Sequence, residues 1–265
     1  MWSTAPPVDP VAVEIARARV EQALFGTSAP ARVGRYEIRA PIASGGMGMV
    51  YRGYDPELDR DVALKVIHPD RAIDPAAPLR LAREARALAR LRHPNVVTVY
   101  DVLVQGGSVV VVMELVTGET LASWAARAPR PWRAIVDVYV QAAEGLAAAH
   151  ALGVIHRDFK PANAIVGEDG RVRVLDFGLA RVGADEQPPR GKPSGPRDEA
   201  LTGAGDVLGT LAYASPEQLA GGVATAPSDQ FSLCASLHQA LEGVPAFTGA
   251  TPAARLAAIE AGAPQ

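Results

Sequence analysis

The stretch His156-Arg157-Asp158-Phe159-Lys160-Pro161-Ala162-Asn163, followed thirteen residues after its last member by Asp176-Phe177-Gly178, decides how this chain is read. Between the two motifs, Ala164–Val166 and Val172–Leu175 read as short strands joined by the turn Glu168-Asp169-Gly170. Two acids, an amide and a lysine therefore gather around one small hairpin. Phosphoryl transfer asks for such a set. One carboxylate orients the acceptor hydroxyl and a second holds a divalent cation; an amide oxygen completes the metal's shell, and a lysine steadies the phosphate in flight. A lone Asp-Phe-Gly is a chance tripeptide. Both motifs, in this order and at this spacing, are more than a structural hairpin requires.

Upstream, Ala43-Ser44-Gly45-Gly46-Met47-Gly48-Met49-Val50 is a glycine-rich turn between strands predicted at Tyr36–Ile42 and Met49–Tyr54. Glycines let backbone N–H groups reach phosphate oxygens without a Cβ in the way, although a plain flexible hairpin reads the same when taken alone. Val62-Ala63-Leu64-Lys65 lies in an alternating strand, Asp61–Ile67. Lys65 is there either an edge charge or a cation that orients phosphates. Glu84 follows nineteen residues later, on a helix opened by Pro78 whose Leu81, Ala85, Leu88 and Leu91 repeat at spacings of three and four. A Lys65–Glu84 pair would fix the ammonium; the alternative is a solvated glutamate beside Arg83 and Arg86. Val96–Leu103 and Ser108–Leu115 complete a hairpin around Gln105-Gly106-Gly107.

Downstream of Gly118 the pattern turns helical, with helices predicted at Thr120–Ala128, Trp132–Leu152, Asp229–Glu242 and Pro252–Ala261. The second is apolar on most faces and is expected to be buried. Residues 182–207 form a Pro/Gly/charged stretch read as a long mobile loop, a length usually tied to function or disorder. Residues 1–35 read as a flexible leader with a short docking helix, Val11–Phe25. Of the 265 residues 48% are apolar, enough for a sizeable core, and a net charge of −3 gives no global pull toward nucleic acid or anionic membranes. Cys234 is the single cysteine, read as a small core residue in a chain that tolerates a reducing compartment. The longest apolar run, Val109–Met113, is far short of the roughly 20 residues of a membrane span. The start, Met1-Trp2-Ser3-Thr4, lacks signal-peptide character, so a soluble cytoplasmic protein is expected.

The glycine loop, Val62-Ala63-Leu64-Lys65, the His156–Asn163 run and Asp176-Phe177-Gly178 together resemble the signature set of protein kinases. Gly45-Gly46-Met47-Gly48 with Val50-Tyr51, and Gly209-Thr210-Leu211-Ala212-Tyr213-Ala214-Ser215-Pro216-Glu217-Gln218, resemble the bacterial Hanks-type serine/threonine kinases in particular. The resemblance runs from about Tyr36 to the C-terminus. It implies an α+β, two-lobed protein kinase fold with a sheet-rich lobe over 36–116, a helical lobe over 117–265, and ATP in the cleft between them.

The resemblance also implies roles, position by position. Ile42, Ala43, Ser44, Gly45, Gly46, Met47 and Gly48 would form the loop over the ATP phosphates. Val50 and Ala63 would lie above adenine, with Ile165 below. Met113 would be the gatekeeper, with Glu114 and Val116 offering backbone hydrogen bonds to the base. Lys65 would contact the α- and β-phosphates and pair with Glu84. Asp158 would be the catalytic base, Lys160 the γ-phosphate partner, and Asn163 and Asp176 the Mg2+ ligands. Asp229 would tie the catalytic loop to the helix beneath it, and His156, Phe177 and Leu88 would stack in a regulatory spine. Lys160, two residues after Asp158, together with Thr210 favours serine and threonine acceptors on protein substrates. Arg157, next to the base, would receive a phosphate carried by the activation segment. Thr202 is the expected autophosphorylation site, with Ser194 a lesser candidate and Thr210 hydrogen-bonding within the site. A homodimer for autophosphorylation is compatible with the family.

Three departures accompany the resemblance. Ala43 stands at the loop's first glycine position, and Ala214-Ser215-Pro216-Glu217 stands where Ala-Pro-Glu would be read. The helical lobe is expected to lack its last helices, leaving Glu217 without an arginine partner and the 229–242 helix partly uncovered, as in a fragment of a longer protein. Two rival readings follow. One is an ATP-binding but inactive pseudokinase or interaction module. The other is a small-molecule phosphotransferase, against which the long segment ending in Pro216-Glu217 speaks.

Overall fold

The structure is a computed structural model and describes residues 10–25, 30–45, 48–67, 76–105, 107–177 and 211–262. The chain divides into two compact units, Met1–Arg90 with Thr98–Leu115, and Leu91–Val97 with Val116–Gln265.

The first unit is built on a six-stranded antiparallel sheet. Its strands are β1 (Arg32–Val33), β2 (Tyr36–Gly45), β3 (Gly48–Asp55), β4 (Arg60–Ile67), β5 (Val99–Gln105) and β6 (Ser108–Glu114), in the order β1-β2-β3-β4-β6-β5. Side chains of directly paired residues lie on the same face of a sheet. The pairs Ala43↔Val50, Val50↔Lys65, Arg52↔Ala63, Ala63↔Met113 and Lys65↔Val111 therefore put Val50, Ala63, Lys65 and Met113 on one face. Tyr51, Val62, Leu64, Val66, Val110 and Val112 fall on the other and form its hydrophobic cluster.

That cluster also contains Val11, Ala31, Val33 and Tyr36, and Ile15 packs against it. The helix read in the leader docks on the sheet. Helix α1 (Pro10–Phe25) sinks Val11 completely into the sheet's core, and β1 adds a strand to its edge. The reason is that Val62, Leu64 and Val66 need an apolar cover that the sheet cannot supply to itself. Helix α2 (Ala77–Leu88), with Pro78 in its first turn, buries Leu81, Ala82, Ala85 and Leu88 and packs on β5 and β6.

The second unit carries a three-stranded sheet of β7 (Gly118–Thr120), β8 (Ala164–Gly167) and β9 (Val172–Val174), and the helices α3 (Leu121–Arg127), α4 (Trp132–His150), α5 (Pro216–Leu219), α6 (Ala226–Glu242) and α7 (Pro252–Glu260). Thr120 caps α3, its hydroxyl accepting the Ser123 N–H at 3.1 Å. Helix α4 is not buried all round, as its composition suggested. It buries Ile135, Val138, Tyr139, Ala142, Leu146 and Ala149, while Trp132 and Val140 face solvent. Helix α6 starts three residues earlier than expected, because Thr225 and Ser228 form a capping box in front of Asp229. Cys234 lies on the exposed side of α6, so the expectation of a core cysteine is corrected: the inward positions there belong to Ser232, Ala235 and Ser236.

Leu91–Val97, expected within the sheet-rich lobe, belongs to the second unit because its polar groups are satisfied there. Val97 N–H donates to Val174 O at 3.0 Å, Val174 N–H to Asn95 O at 2.9 Å, and the Asn95 amide to Val172 O at 2.8 Å. Gly145 makes this approach possible, since a Cβ on it would sit 2.4 Å from the Asn95 carbonyl oxygen. Among the described residues no helix is long and apolar enough to cross a membrane.

Candidate active site

The site grows from the β8–β9 hairpin. Its register, Ala164↔Val174, is continued by a hydrogen bond from Leu175 N–H to Asn163 O at 2.8 Å, so Asn163 and Asp176 come to the same end of the hairpin. Pro161, with φ preset for a tight turn, opens a 3-10 turn over Pro161–Asn163, closed by Asn163 N–H on Lys160 O at 2.8 Å. This turn folds Lys160 and Asn163 back on Asp158. The Lys160 ammonium is 3.1 Å from Asp158 Oδ2. The Asn163 amide nitrogen donates to the Asp158 carbonyl at 2.8 Å and to its Oδ2 at 3.3 Å. With its nitrogen so engaged, Asn163 turns its amide oxygen the other way, as a ligand oxygen should be turned. Among the described residues no three His, Cys, Asp or Glu side chains gather as a self-sufficient metal site. The donors at hand, an amide oxygen and a carboxylate, suit a hard divalent cation that takes its other ligands from phosphate and water.

Beneath this loop lies a buried polar scaffold. Asp229, in the first turn of α6 and 1% exposed, accepts three hydrogen bonds. His156 N–H and the His150 ring each donate to Oδ2 at 2.7 Å, and Arg157 N–H donates to Oδ1 at 2.8 Å. His156 is fully buried, with Nε2 on Leu175 O at 2.7 Å and Nδ1 accepting the Asp158 N–H at 3.3 Å. Its ring lies 4.8 Å from Phe177 and 5.7 Å from Phe159, centroid to centroid. The expected contact of His156 with Phe177 is therefore present. Arg157 and Asp176, which flank this scaffold, both adopt left-handed backbone, φ 66° and 59°, a conformation non-glycine residues hold only where their surroundings impose it.

Burial holds the His156 imidazole below the ordinary value of about 6.5, with Asp229 opposing. A depressed base favours the folded state while it stays neutral. The unfolded chain takes up its proton near pH 6.5 and the folded chain does not, so this contribution is complete above 6.5 and shrinks as the pH falls below it. The melting temperature should fall as the pH drops below 6.5, and ring NMR should find His156 titrating below 6.5. A His156 ring titrating at 6.5 in the folded protein would contradict the assignment. The depressed carboxyls of Asp169, held by Arg173, and of Asp61, held by Arg52, act in a separate window, losing their contribution only as the pH falls through the acid range near and below 4.

Helix α5 closes the side of the loop. The Gln218 amide donates to Arg157 O at 2.7 Å, and its own oxygen accepts both the Ser215 N–H and the Ser215 hydroxyl at 3.2 Å. Glu217 finds a partner after all: the Ser228 hydroxyl donates to its carboxylate, taking the place expected of an arginine. Burial pushes that carboxyl up, yet the hydroxyl and backbone donors prevail and hold it below its usual value. Arg255 of α7, buried, donates to the carbonyls of Ala212 and Phe247 and so fastens the segment just before α5. A cavity of about 110 Å³ opens beside Asp158, walled by Phe159, Tyr213, Gln218, Leu219 and Pro252.

In the first unit, Lys65 is buried at 4% exposure on the face it shares with Val50, Ala63 and Met113, as expected of residues that would meet one flat ligand and its phosphates. Gly48 has φ 124°, and a Cβ on it would lie 1.9 Å from the Val66 carbonyl oxygen, so glycine is required there by the crossing of β4 alone. Ile42, Ala43 and Ser44 are exposed along β2, Glu84 is half-buried on α2, and Glu114 N–H donates to Thr98 O at 2.9 Å at the end of β6. Val116 and Ile165 are half-buried in the second unit. Gly46, Met47, Gly178, Ser194, Thr202, Gly209 and Thr210 lie outside the described residues. Asn95, His150 and Gln218 were not foreseen in any role. Only Gln218 had a signal in the sequence, its place in the Ser215-Pro216-Glu217-Gln218 run.

The model of the protein kinase domain family matches residues 36–261. The chain is 43% identical over 216 residues to the serine/threonine-protein kinase PknL of Mycobacterium tuberculosis, covering 81% of this chain and 51% of PknL. It is 38% identical over 231 residues to the serine/threonine-protein kinase PknB of Mycobacterium leprae, covering 85% of this chain and 35% of PknB. The chain thus spans about half the length, or less, of these curated relatives.

Proposed function

This chain belongs to the protein kinase family, in its bacterial Hanks-type serine/threonine branch, and from that premise we propose that it transfers the γ-phosphate of ATP to serine and threonine hydroxyls of proteins. One observation carries the reading: the Asp158 carboxylate, braced at Oδ2 by Lys160 at 3.1 Å and by the Asn163 amide at 3.3 Å, stands at the hairpin end from which Asp176 projects.

Asp158 orients the acceptor hydroxyl and takes up its proton as the hydroxyl oxygen bonds to the γ-phosphorus and the bond to the β-phosphate oxygen breaks. Lys160, already beside Asp158, stabilises the negative charge spread over the transferring group. Asn163 and Asp176 would hold Mg2+, which would supply positive charge to neutralise the nucleotide phosphates. Lys65 orients the α- and β-phosphates and is itself positioned by Glu84. Ile42, Ala43, Ser44, Gly45, Gly46, Met47 and Gly48 cover the phosphates, while Val50, Ala63, Met113, Glu114, Val116 and Ile165 form the surroundings of the adenine. The pocket beside Asp158 receives the acceptor segment. Thr202 is the residue autophosphorylated, in a second copy of the chain, and Thr210 completes the acceptor side. The domain spans 36–265 and acts in the cytoplasm.

The test is incubation of the purified chain with Mg2+, labelled ATP and a basic carrier protein, followed by phosphoamino-acid analysis. Label on serine and threonine, and on Thr202 of the kinase itself, is expected. Folded protein that binds the nucleotide yet labels nothing would sink the proposal in favour of an inactive interaction module.

A further inference from the structure

Arg157, the residue that leads into Asp158, is held at both of its flanking peptide bonds. Arg157 donates its N–H to Asp229 Oδ1 at 2.8 Å, and its carbonyl accepts the Gln218 amide at 2.7 Å. Arg157 sits at φ 66°, a backbone conformation that a non-glycine residue leaves unless it is pinned. The Asp229 anchor comes from α6, beneath the loop. The Gln218 anchor comes from α5, in the run Ser215-Pro216-Glu217-Gln218 at the far side of the pocket that Asp158 lines. Gln218 is in turn given one orientation only. Ser215 sends both its N–H and its hydroxyl to the amide oxygen at 3.2 Å, which forces the amide nitrogen toward Arg157. Glu217, tied to Ser228, keeps α5 from turning.

We propose that Gln218 is a positioning residue for Asp158: through the Arg157 carbonyl it locks the plane of the preceding peptide and thereby the direction of the Asp158 side chain toward the acceptor hydroxyl. The inference rests on the kinase reading above and deepens it. The segment that would carry the acceptor peptide is by this bond also the segment that aims the base. Displacing α5 by an ångström therefore moves Asp158, and misplacement of that size costs an enzyme on the order of a hundredfold in rate.

The experiment uses the full chain and two readouts. Gln218→Met keeps length and bulk but loses the donor; Gln218→Glu keeps the acceptor for Ser215 and sets an oxygen against the Arg157 carbonyl. Both should lower kcat on a basic carrier protein by about tenfold to a hundredfold, leaving KM for ATP and nucleotide affinity within about twofold. Amide exchange over residues 156–160 should quicken about tenfold, with exchange over 226–242 unchanged. A lesser variant, Ser215→Ala, releases one of the two donors that orient the amide and should give a drop of about threefold in kcat, so the idea stays testable if Gln218→Met does not fold. A kcat within twofold of wild type in folded Gln218→Met, or in Gln218→Glu, overturns the proposal, as does unchanged exchange at 156–160. A wild-type chain that phosphorylates nothing overturns the kinase reading instead, and the exchange measurement then still decides whether Gln218 holds the loop.

Discussion

Asp158→Asn should reduce phosphate transfer at least about a hundredfold, and up to about ten-thousandfold, with nucleotide affinity essentially unchanged, because a positioned general base contributes on that scale. The substitution is nearly isosteric. The new amide oxygen can still accept from the Asn163 amide, which now reaches Oδ2 at 3.3 Å, and from the Lys160 ammonium, now at 3.1 Å. What disappears is the negative charge that draws the acceptor proton and fixes Lys160. The pair with Lys160 is well shielded, with side-chain exposures of 22% and 9%, so its loss should cost about 1 kcal/mol of stability or somewhat more. That shifts a melting curve by only a few degrees. Stopped single-turnover assays, nucleotide titration and thermal melts on the same preparation separate the two effects. A folded Asp158→Asn chain retaining a tenth or more of wild-type kcat would mean that Asp158 is not the group that handles the hydroxyl proton.

The candidate residues of the two units were legible to different degrees. The sheet face carrying Lys65 could be read because strands alternate with period two: once Lys65 and Ala63 are on one side, Val62, Leu64 and Val66 must be on the other. The hairpin cluster could be read because its members are close in sequence, and the turn at Pro161 does the rest. The scaffold beneath could not. His150 meets Asp229 across 79 residues, Gln218 meets Arg157 across 61, and Asn95 meets Val172 across 77, and nothing local marks a histidine at a helix end or a glutamine on a short helix as one end of such a bond. Asp229 was foreseen only through the family resemblance. That α1 docks was read from the sequence, but the surface it covers was not, for another reason. Its apolar positions show no marked stripe, and what buries Val11 is the exposed valine and leucine face of the sheet, a partner chosen by topology. Glu217 shows how one chemical need admits two solutions. A half-buried carboxylate requires donors, and Ser228, already in place as part of the α6 cap, supplies one where an arginine was expected.

The largest expected loss of stability follows from Asp229. In Asp229→Ala, His156 N–H, Arg157 N–H and the His150 ring lose their common acceptor in a place only 1% exposed. Each buried donor left unmade costs about 1–3 kcal/mol, about 3–9 kcal/mol for the three, which water entering the space of the carboxylate lowers to about 3–6 kcal/mol. Against a domain stability of about 5–15 kcal/mol this approaches collapse, and a fall in melting temperature of about 10–20 °C is expected. Asp229→Asn keeps one acceptor oxygen but turns an NH2 toward a donor, so it should recover no more than about half of the loss. Activity should fall further than stability does. Arg157 keeps its left-handed backbone only while its N–H and its carbonyl are both engaged, and without Asp229 the residue is held at its carbonyl, by Gln218, while its N–H is released. Phosphate transfer per folded molecule, measured well below the new melting point, should therefore drop at least about tenfold in both variants, on the same ground that small misplacements of a reacting group are costly. If Asp229→Ala melted within about 2 °C of wild type, the buried carboxylate would not be what holds the loop, and the left-handed Arg157 would need another cause.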